Sequence, residues 1–146
     1  MQVAKRAAAA PVVRTLSEAD ASRLAALSSA LGAETAADWA LRLRREGSVV
    51  VGAFLDDALV GYAAGDVRRS FGLDGTAGWV DAFGVDLAYR GHGFGRTLAA
   101  SLLARLREVG ATHVYTVVPV HDRAMEPFFR ELGFRDEPLA CLGRIL

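Results

Sequence analysis

The sequence predicts a single α/β domain in which helices cover a central, mixed and mostly antiparallel sheet. Its length of 146 residues is close to the commonest size of one domain, and 52% of the residues are hydrophobic, which is enough for a sizeable core. Three strand-like segments follow one another with short connections, as in an antiparallel meander. Segments of helical periodicity stand on both sides of them, so the predicted order is β-α-α-β-β-β-α-β-α-β.

The N-terminal third predicts one strand and two helices. Residues 1–11 are interpreted as a frayed leader, because the apolar run Ala7–Ala10 is too short for a signal peptide. The residues that define the elements are the strand Val12–Leu16, the cap Ser17 with Asp20, the stripe Leu24, Leu27 and Leu31, the stop Gly32, and the second helix Ala36–Arg45 with Trp39, Leu41 and Leu43 on or near its buried side.

The rest of the chain predicts the meander, two further helices and two further strands. The predicted strands are Ser48–Leu55, Leu59–Val67, Gly78–Val85, His113–Val118 and Leu139–Leu146, the last containing Cys141 as a small core residue. The predicted helices run from Phe94 or Gly95 to Val109, with the stripe Leu98, Leu102, Leu106 and Val109, and from Arg123 to Leu132, closed by Gly133.

Composition limits the partners. Seventeen basic residues balance seventeen acidic ones, so no global field attracts nucleic acid or an anionic membrane. No run approaches the roughly 20 apolar residues that span a bilayer. A lone cysteine and three histidines without metal-type spacing favour a cytoplasmic protein that binds no metal.

The segment Arg90–Thr97 (Arg-Gly-His-Gly-Phe-Gly-Arg-Thr) carries the most specific chemistry. Its three glycines lie between a strand end and a helix start, where backbone N–H groups and the helix dipole favour a phosphate or pyrophosphate. The spacing Gly-x-Gly-x-Gly differs from the Gly-x-Gly-x-x-Gly of dinucleotide-binding loops. An NTPase phosphate loop is also excluded, because Arg90 and Arg96 stand where its first glycine and its lysine belong.

Arg90-Gly-His-Gly-Phe-Gly95 instead resembles the Arg/Gln-x-x-Gly-x-Gly/Ala signature of the GCN5-related N-acetyltransferases, the GNAT family. The run Phe128–Phe134 resembles the family's Phe-Tyr-x-x-x-Gly-Phe, and the element order agrees over most of the chain. The resemblance implies one N-acetyltransferase domain over residues 1–146, a sheet with a splayed parallel strand pair and about four helices, and acetyl-CoA as co-substrate.

The resemblance also assigns candidate residues for binding acetyl-CoA. The pyrophosphate falls to the loop, and the pantetheine arm falls to the backbone at the end of the preceding strand. The cofactor-binding residues implied in this way are Phe83, Gly84, Val85, Arg90, Gly91, His92, Gly93, Phe94, Gly95, Arg96, Thr97, Asp122 and Phe129.

Asp81 is the candidate catalytic base. It falls near the position where many family members place a glutamate that deprotonates the amine, and the alternative is an aspartate that faces solvent or recognises a cationic substrate. Strict alternation places Trp79, Asp81, Phe83 and Val85 on one face of the strand.

Two positions depart from the family pattern. Asp122 replaces a common asparagine, and Phe129 replaces a tyrosine that protonates the departing thiolate. Tyr115, Tyr89 and His121 are conceivable substitutes as the proton donor, and water is another.

The leading functional hypothesis is acetyl transfer from acetyl-CoA to a primary amine of a small molecule or protein, by direct attack in a ternary complex. One alternative is a non-catalytic acyl-CoA-binding or regulatory module, motivated by Asp122 and Phe129. A remote alternative is a binder of some other nucleotide. The sequence leaves the acceptor, the acyl-chain preference and homodimer formation open.

Overall fold

A computed structural model describes residues 9–29, 34–70, 72–73 and 75–146. The chain forms two compact units, one reaching to Thr116 and the other spanning Val117–Leu146, and each is described by itself. Leu31 and Gly32, predicted to end the first helix, and most of the predicted leader lie outside the described residues.

The first unit contains a five-stranded sheet whose spatial order follows the chain. Its strands are β1 (Val12–Thr15), β2 (Ser48–Leu55), β3 (Ala58–Arg68), β4 (Ala77–Val85) and β5 (His113–Thr116). The first four strands pair antiparallel, and β4 pairs with β5 in parallel. This mixed, mostly antiparallel sheet confirms the predicted fold class.

Three α-helices of this unit cover the sheet: α1 (Ala21–Ser29), α2 (Ala36–Arg44) and α3 (Phe94–Glu108). Short 3₁₀ turns at Glu18–Asp20 and Leu87–Tyr89 precede α1 and α3. Thr35 caps α2 by accepting a hydrogen bond from the Asp38 amide, while the Asp38 carboxylate accepts one from the Thr35 amide.

The helices α1 and α2 share one core with the sheet. Trp39 is fully buried in that core, donates from Nε1 to the Ser28 hydroxyl at 2.9 Å, and meets the Tyr62 ring edge-on at 5.4 Å. Leu41, in contrast, is 66% exposed. The prediction that Leu41 lies near the buried side is wrong because two residues rotate it about 200° around the helix from Trp39.

Helix α3 covers the opposite face of the sheet. A Cβ on Gly61 would meet Leu98 and one on Gly65 would meet Leu106, whereas Tyr62, which alternates with them, belongs to the α1 and α2 core. The buried stripe of α3 confirms the sequence pattern except at its end. Val109 is exposed, because the helix stops at Glu108 and Val109 takes a non-helical conformation.

The second unit contains the helix α4 (Met125–Glu131), and the Phe129 ring meets those of Phe128 and Phe134 edge-on. The predicted last strand, Leu139–Leu146, is wrong: residues 135–146 contain no strand and are exposed. Cys141 is accordingly exposed rather than a core residue. Apolar composition gave this segment strand propensity, but a strand also needs a partner to pair with, and no residue of the segment is paired in this way in the described chain.

Candidate active site

The strands β4 and β5 part in the middle of β4. Their pairing runs from Ala77 opposite His113 to Val80 opposite Thr116, where the Thr116 hydroxyl donates to the Val80 carbonyl at 2.9 Å. From Asp81 to Val85, β4 keeps β3 on one side, and no described strand pairs with its other edge. The predicted pantetheine contacts, Phe83, Gly84 and Val85, lie beyond the end of the pairing between β4 and β5.

A β-bulge begins at the same point. Ala64 of β3 lies opposite Ala82, and the next residue, Gly65, lies opposite Val80, so Asp81 is an extra residue on β4. The bulge shifts the alternation of side chains. Asp81 contacts Arg42 of α2 and Ala82 packs against the α1 and α2 core, so both lie on that side of the sheet, whereas Val85 approaches Gly61 on the α3 side. The prediction that Asp81 and Val85 share one face is therefore wrong.

The chain that leaves β4 is held in place by three hydrogen bonds. The Asp86 amide donates to the Val60 carbonyl at 2.9 Å, and the Asp86 carboxylate accepts from the Ala88 amide at 2.9 Å. The Arg90 side chain turns back and donates from Nε to the Val85 carbonyl at 2.9 Å. Arg90 thus ties the glycine loop to the end of the strand.

The glycine loop presents backbone N–H groups at the start of α3. Gly91 and Gly93 have φ of +78° and +81°, which glycine adopts without penalty, and Gly93 is the N-cap residue. A Cβ on either would meet nothing within 4 Å. In the described structure, no amide from Gly91 to Gly95 donates to a backbone carbonyl, so these donors and the helix dipole are available to an anion.

Side chains of the loop mostly hold its shape. The Phe94 ring is buried and lies 6.2 Å from the Tyr89 ring, and the Thr97 hydroxyl donates to the Gly93 carbonyl at 3.2 Å. The His92 Nδ1 lies 3.1 and 3.0 Å from the carbonyls of Tyr89 and Arg90, an arrangement that suits the tautomer protonated at Nδ1. Ligand contacts from Phe94 and His92 would therefore come from their backbone.

Asp81 is paired with an arginine that the sequence analysis did not single out. Arg42 of α2 donates from its guanidinium to Asp81 Oδ1. The Arg42 side chain is only 11% exposed and lies 5.7 Å from the Trp39 ring, whereas Asp81 is 41% exposed. One carboxylate oxygen of Asp81 thus accepts a hydrogen bond from Arg42, while the Asp81 side chain is still exposed to solvent.

A second set of charges lies one turn further along α2. Arg45 donates to Asp66 Oδ2 of β3 at 2.9 Å, and Arg68 approaches the same oxygen at 3.7 Å. The Arg68 guanidinium also lies 5.1 Å from the Trp79 ring, and the Trp79 ring lies 5.2 Å from that of Tyr115. The spacing of Arg42 and Arg45, three residues apart in the predicted second helix, was the one sequence signal for these contacts, although Arg45 is the C-cap residue of α2 in the structure.

The two remaining candidates belong to the second unit. Asp122 accepts hydrogen bonds from the Met125 and Ala124 amides at 2.7 and 2.9 Å, and these bonds lower the pKa of the carboxyl. Phe129 is buried. The cofactor contacts assigned to Asp122 and Phe129 stay predictions, as do those of the loop.

Two wider properties concern only the described part of the chain. There, no group of three or more histidine, cysteine or acidic side chains is arranged to hold a metal ion. No helix in those ranges has the length and apolar character needed to cross a membrane.

Similar proteins add independent evidence. The chain is 36% identical to probable N-acetyltransferase 14 from Danio rerio over 80 residues, which are 55% of this chain and 27% of that protein, so it spans about a quarter of that relative's length. Its fold matches a ribosomal-protein-alanine N-acetyltransferase from Brucella melitensis biovar Abortus 2308 (TM-score 0.78, 19% identity, 93% of this chain and 99% of the other).

It also matches the aminoglycoside N-acetyltransferase AAC(6′)-Iy in complex with CoA (TM-score 0.82, 16% identity, 92% of this chain and 94% of the other). At these identities the two structures establish the fold alone. The family profile described as "Acetyltransferase (GNAT) family" matches residues 15–134, which is most of the chain. The chain therefore belongs to the GNAT acetyltransferase family.

Proposed function

We propose that this protein is an N-acetyltransferase that moves the acetyl group of acetyl-CoA onto a primary amine of a small molecule or protein. The observation that carries the proposal is the row of amides from Gly91 to Gly95 at the start of α3, none of which donates to a backbone carbonyl in the described structure, directly after a strand whose pairing with β5 ends at Val80. Family membership over residues 15–134 supports the same activity.

Acetyl-CoA would lie along two backbone surfaces. The amides of the glycine loop and the N-terminal partial charge of α3 suit its pyrophosphate. The edge of β4 at Phe83, Gly84 and Val85, beyond the end of its pairing with β5, suits its pantetheine arm, whose amides can hydrogen-bond as an added strand would. An amide near Val85 would then polarise the thioester carbonyl.

Asp81 would take the proton of the acceptor. A lysine-like amine with a pKa near 10.4 is neutral in about one molecule in 2,500 at pH 7, equivalent to about 4.6 kcal/mol. A positioned carboxylate, acting directly or through one water, relieves part of this barrier. The neutral nitrogen then attacks the thioester carbonyl and loses its second proton to water as the C–S bond breaks. The departing thiolate takes a proton from water or a nearby side chain.

The test is acetyl transfer by the purified full chain. Acetyl-CoA with a panel of amines should release free CoA thiol, and mass spectrometry should find each accepted amine heavier by one acetyl group. Thiol release without acetylated amine would be hydrolysis, and tight CoA binding without any transfer would refute the proposal.

The alternative is a binding module that holds acyl-CoA without turning it over. It is favoured by Phe129, which has no hydroxyl to protonate a thiolate, and by Asp122, whose carboxylate caps the backbone near α4. Calorimetry with CoA, ATP and NAD separates both proposals from a general nucleotide binder, because only the first ligand should bind tightly.

A further inference from the structure

Two groups of arginine and aspartate side chains link α2 and its C-cap residue to the sheet. In one group the arginine is the more buried partner, and in the other group it is the aspartate. In the first, the arginine, Arg42, is largely covered, with 11% of its side chain exposed, and Asp81 is half-exposed. In the second, Asp66 is buried with a side-chain exposure of 8%, while Arg45 and Arg68 are 55% and 52% exposed. The surface beside the bulge therefore presents an anionic group and, next to it, a cationic one.

The cationic group has unused capacity. Arg45 and Arg68 share one oxygen of Asp66, so two guanidinium groups face a single carboxylate. The other oxygen, Oδ1, is buried and has no hydrogen-bond partner among the described residues. An excess positive charge carried by two half-exposed guanidinium groups is a good match for one further carboxylate.

The spacing of the two groups sets the size of a ligand that meets both. Asp66 lies opposite Trp79 in the register of β3 and β4, and Asp81 follows Trp79 by two residues. Two residues of a strand span roughly 7 Å. Trp79 stands between the two acids in this register, and the exposed part of its partly buried ring, which also contacts Arg68 and Tyr115, can contact a methylene chain.

We propose, resting on the proposed transferase activity, that the acceptor is a primary amine carrying a carboxylate several methylene groups away, as in an ω-amino acid. Its amine meets Asp81 at the bulge, its chain lies along Trp79, and its carboxylate pairs with Arg45 and Arg68. A polyamine or other polycation would place a positive charge against these arginines and is disfavoured.

The test on the wild-type chain compares 6-aminohexanoate with 6-aminohexanamide, which differ only in the negative charge. We expect kcat/KM for acetyl transfer to be about tenfold higher for the acid, the size of one charge-assisted hydrogen bond, with most of the difference in KM. Equal rates, preference for the amide, or transfer confined to amines without a carboxylate would overturn the inference while leaving the transferase activity intact. No transfer to any amine would overturn both.

Variants locate the preference. Arg68→Gln and Arg45→Gln, made separately so that Asp66 keeps one partner, should each bring the acid-to-amide ratio close to one by raising KM for the acid. Arg44→Gln is the matched control, because Arg44 is similarly exposed on the same helix but faces Glu18 at 3.8 Å. A ratio unchanged in both Arg45 and Arg68 variants, each folded by circular dichroism, would refute the proposed contacts.

Discussion

The two halves of β4 are built for different kinds of recognition. The loop that follows its C-terminal half presents main-chain N–H groups, and it takes its shape from Gly91 and Gly93 and is tied to the strand by Arg90. Its N-terminal half, up to the bulge, is lined by charged side chains that come from distant parts of the sequence, Arg42, Asp66 and Asp81. The C-terminal half and the loop suit a part of the ligand that is common to every reaction. The N-terminal half suits a part that differs between enzymes.

This difference separates the effects that substitutions should have. Changes in the glycine loop should weaken CoA binding whatever the acceptor, because the pyrophosphate is common to every reaction. Changes around Asp81 and α2 should leave CoA affinity intact and alter turnover or acceptor KM.

The largest effect is expected for Asp81→Asn. The amide keeps the volume and can still accept from Arg42, but it cannot take a proton, so kcat should fall about a hundredfold while the Kd for CoA stays within twofold. Steady-state kinetics and calorimetry measure the two quantities. Asp136→Asn, which changes an exposed partner of Arg130, is the matched control.

If Asp81→Asn turned over within twofold of wild type, the proton would leave by another route and Asp81 would serve acceptor binding alone. If instead CoA affinity fell, the two halves of β4 would be coupled and the comparison would break.

A smaller effect is expected for Gly93→Ala. Its φ of +81° strains alanine by roughly 1 kcal/mol, and the new methyl group stands in the open space that an anion would occupy, so Kd for CoA should rise about tenfold. Gly72→Ala is the control, since Gly72 has φ of +74° and equally open surroundings in another loop. If both variants lose the same stability and only Gly93→Ala loses CoA affinity, the comparison is sharpened. Equal CoA affinity in the two variants would contradict it.

The two halves also differ in how far the sequence predicts them. The conformation of the glycine loop depends on a local signal, residues that permit positive φ. The strand β2, whose predicted bounds Ser48–Leu55 agree with the structure, likewise depends on a local signal, a run of β-branched residues. The bulge at Asp81 and its pairing with Arg42 depend on the register of β3 and β4 and on where α2 lies. Periodicity within one strand carries no information on an inserted residue, so the predicted face of Asp81 relative to Val85 was wrong.

The smallest effect is expected at the start of α2, which carries Arg42 and Arg45 to the sheet. Thr35→Ala removes the hydroxyl that accepts from the Asp38 amide and donates to its carboxylate, and should lower the free energy of unfolding by about 1 kcal/mol at pH 7. The bond from the Thr35 hydroxyl lowers the pKa of Asp38 from its usual 3.8, so the part of the stabilisation that this bond contributes is fully present above pH 3.8 and is lost as the pH falls through the folded-state pKa. Urea unfolding should show the difference in free energy of unfolding between wild type and variant narrowing below pH 3.8, with Thr112→Ala, outside any helix cap, as control.

Because the helix frays only at its first turn, acceptor KM should rise slightly and CoA affinity should not change in Thr35→Ala. A loss of CoA affinity would show that the glycine loop depends on α2 after all.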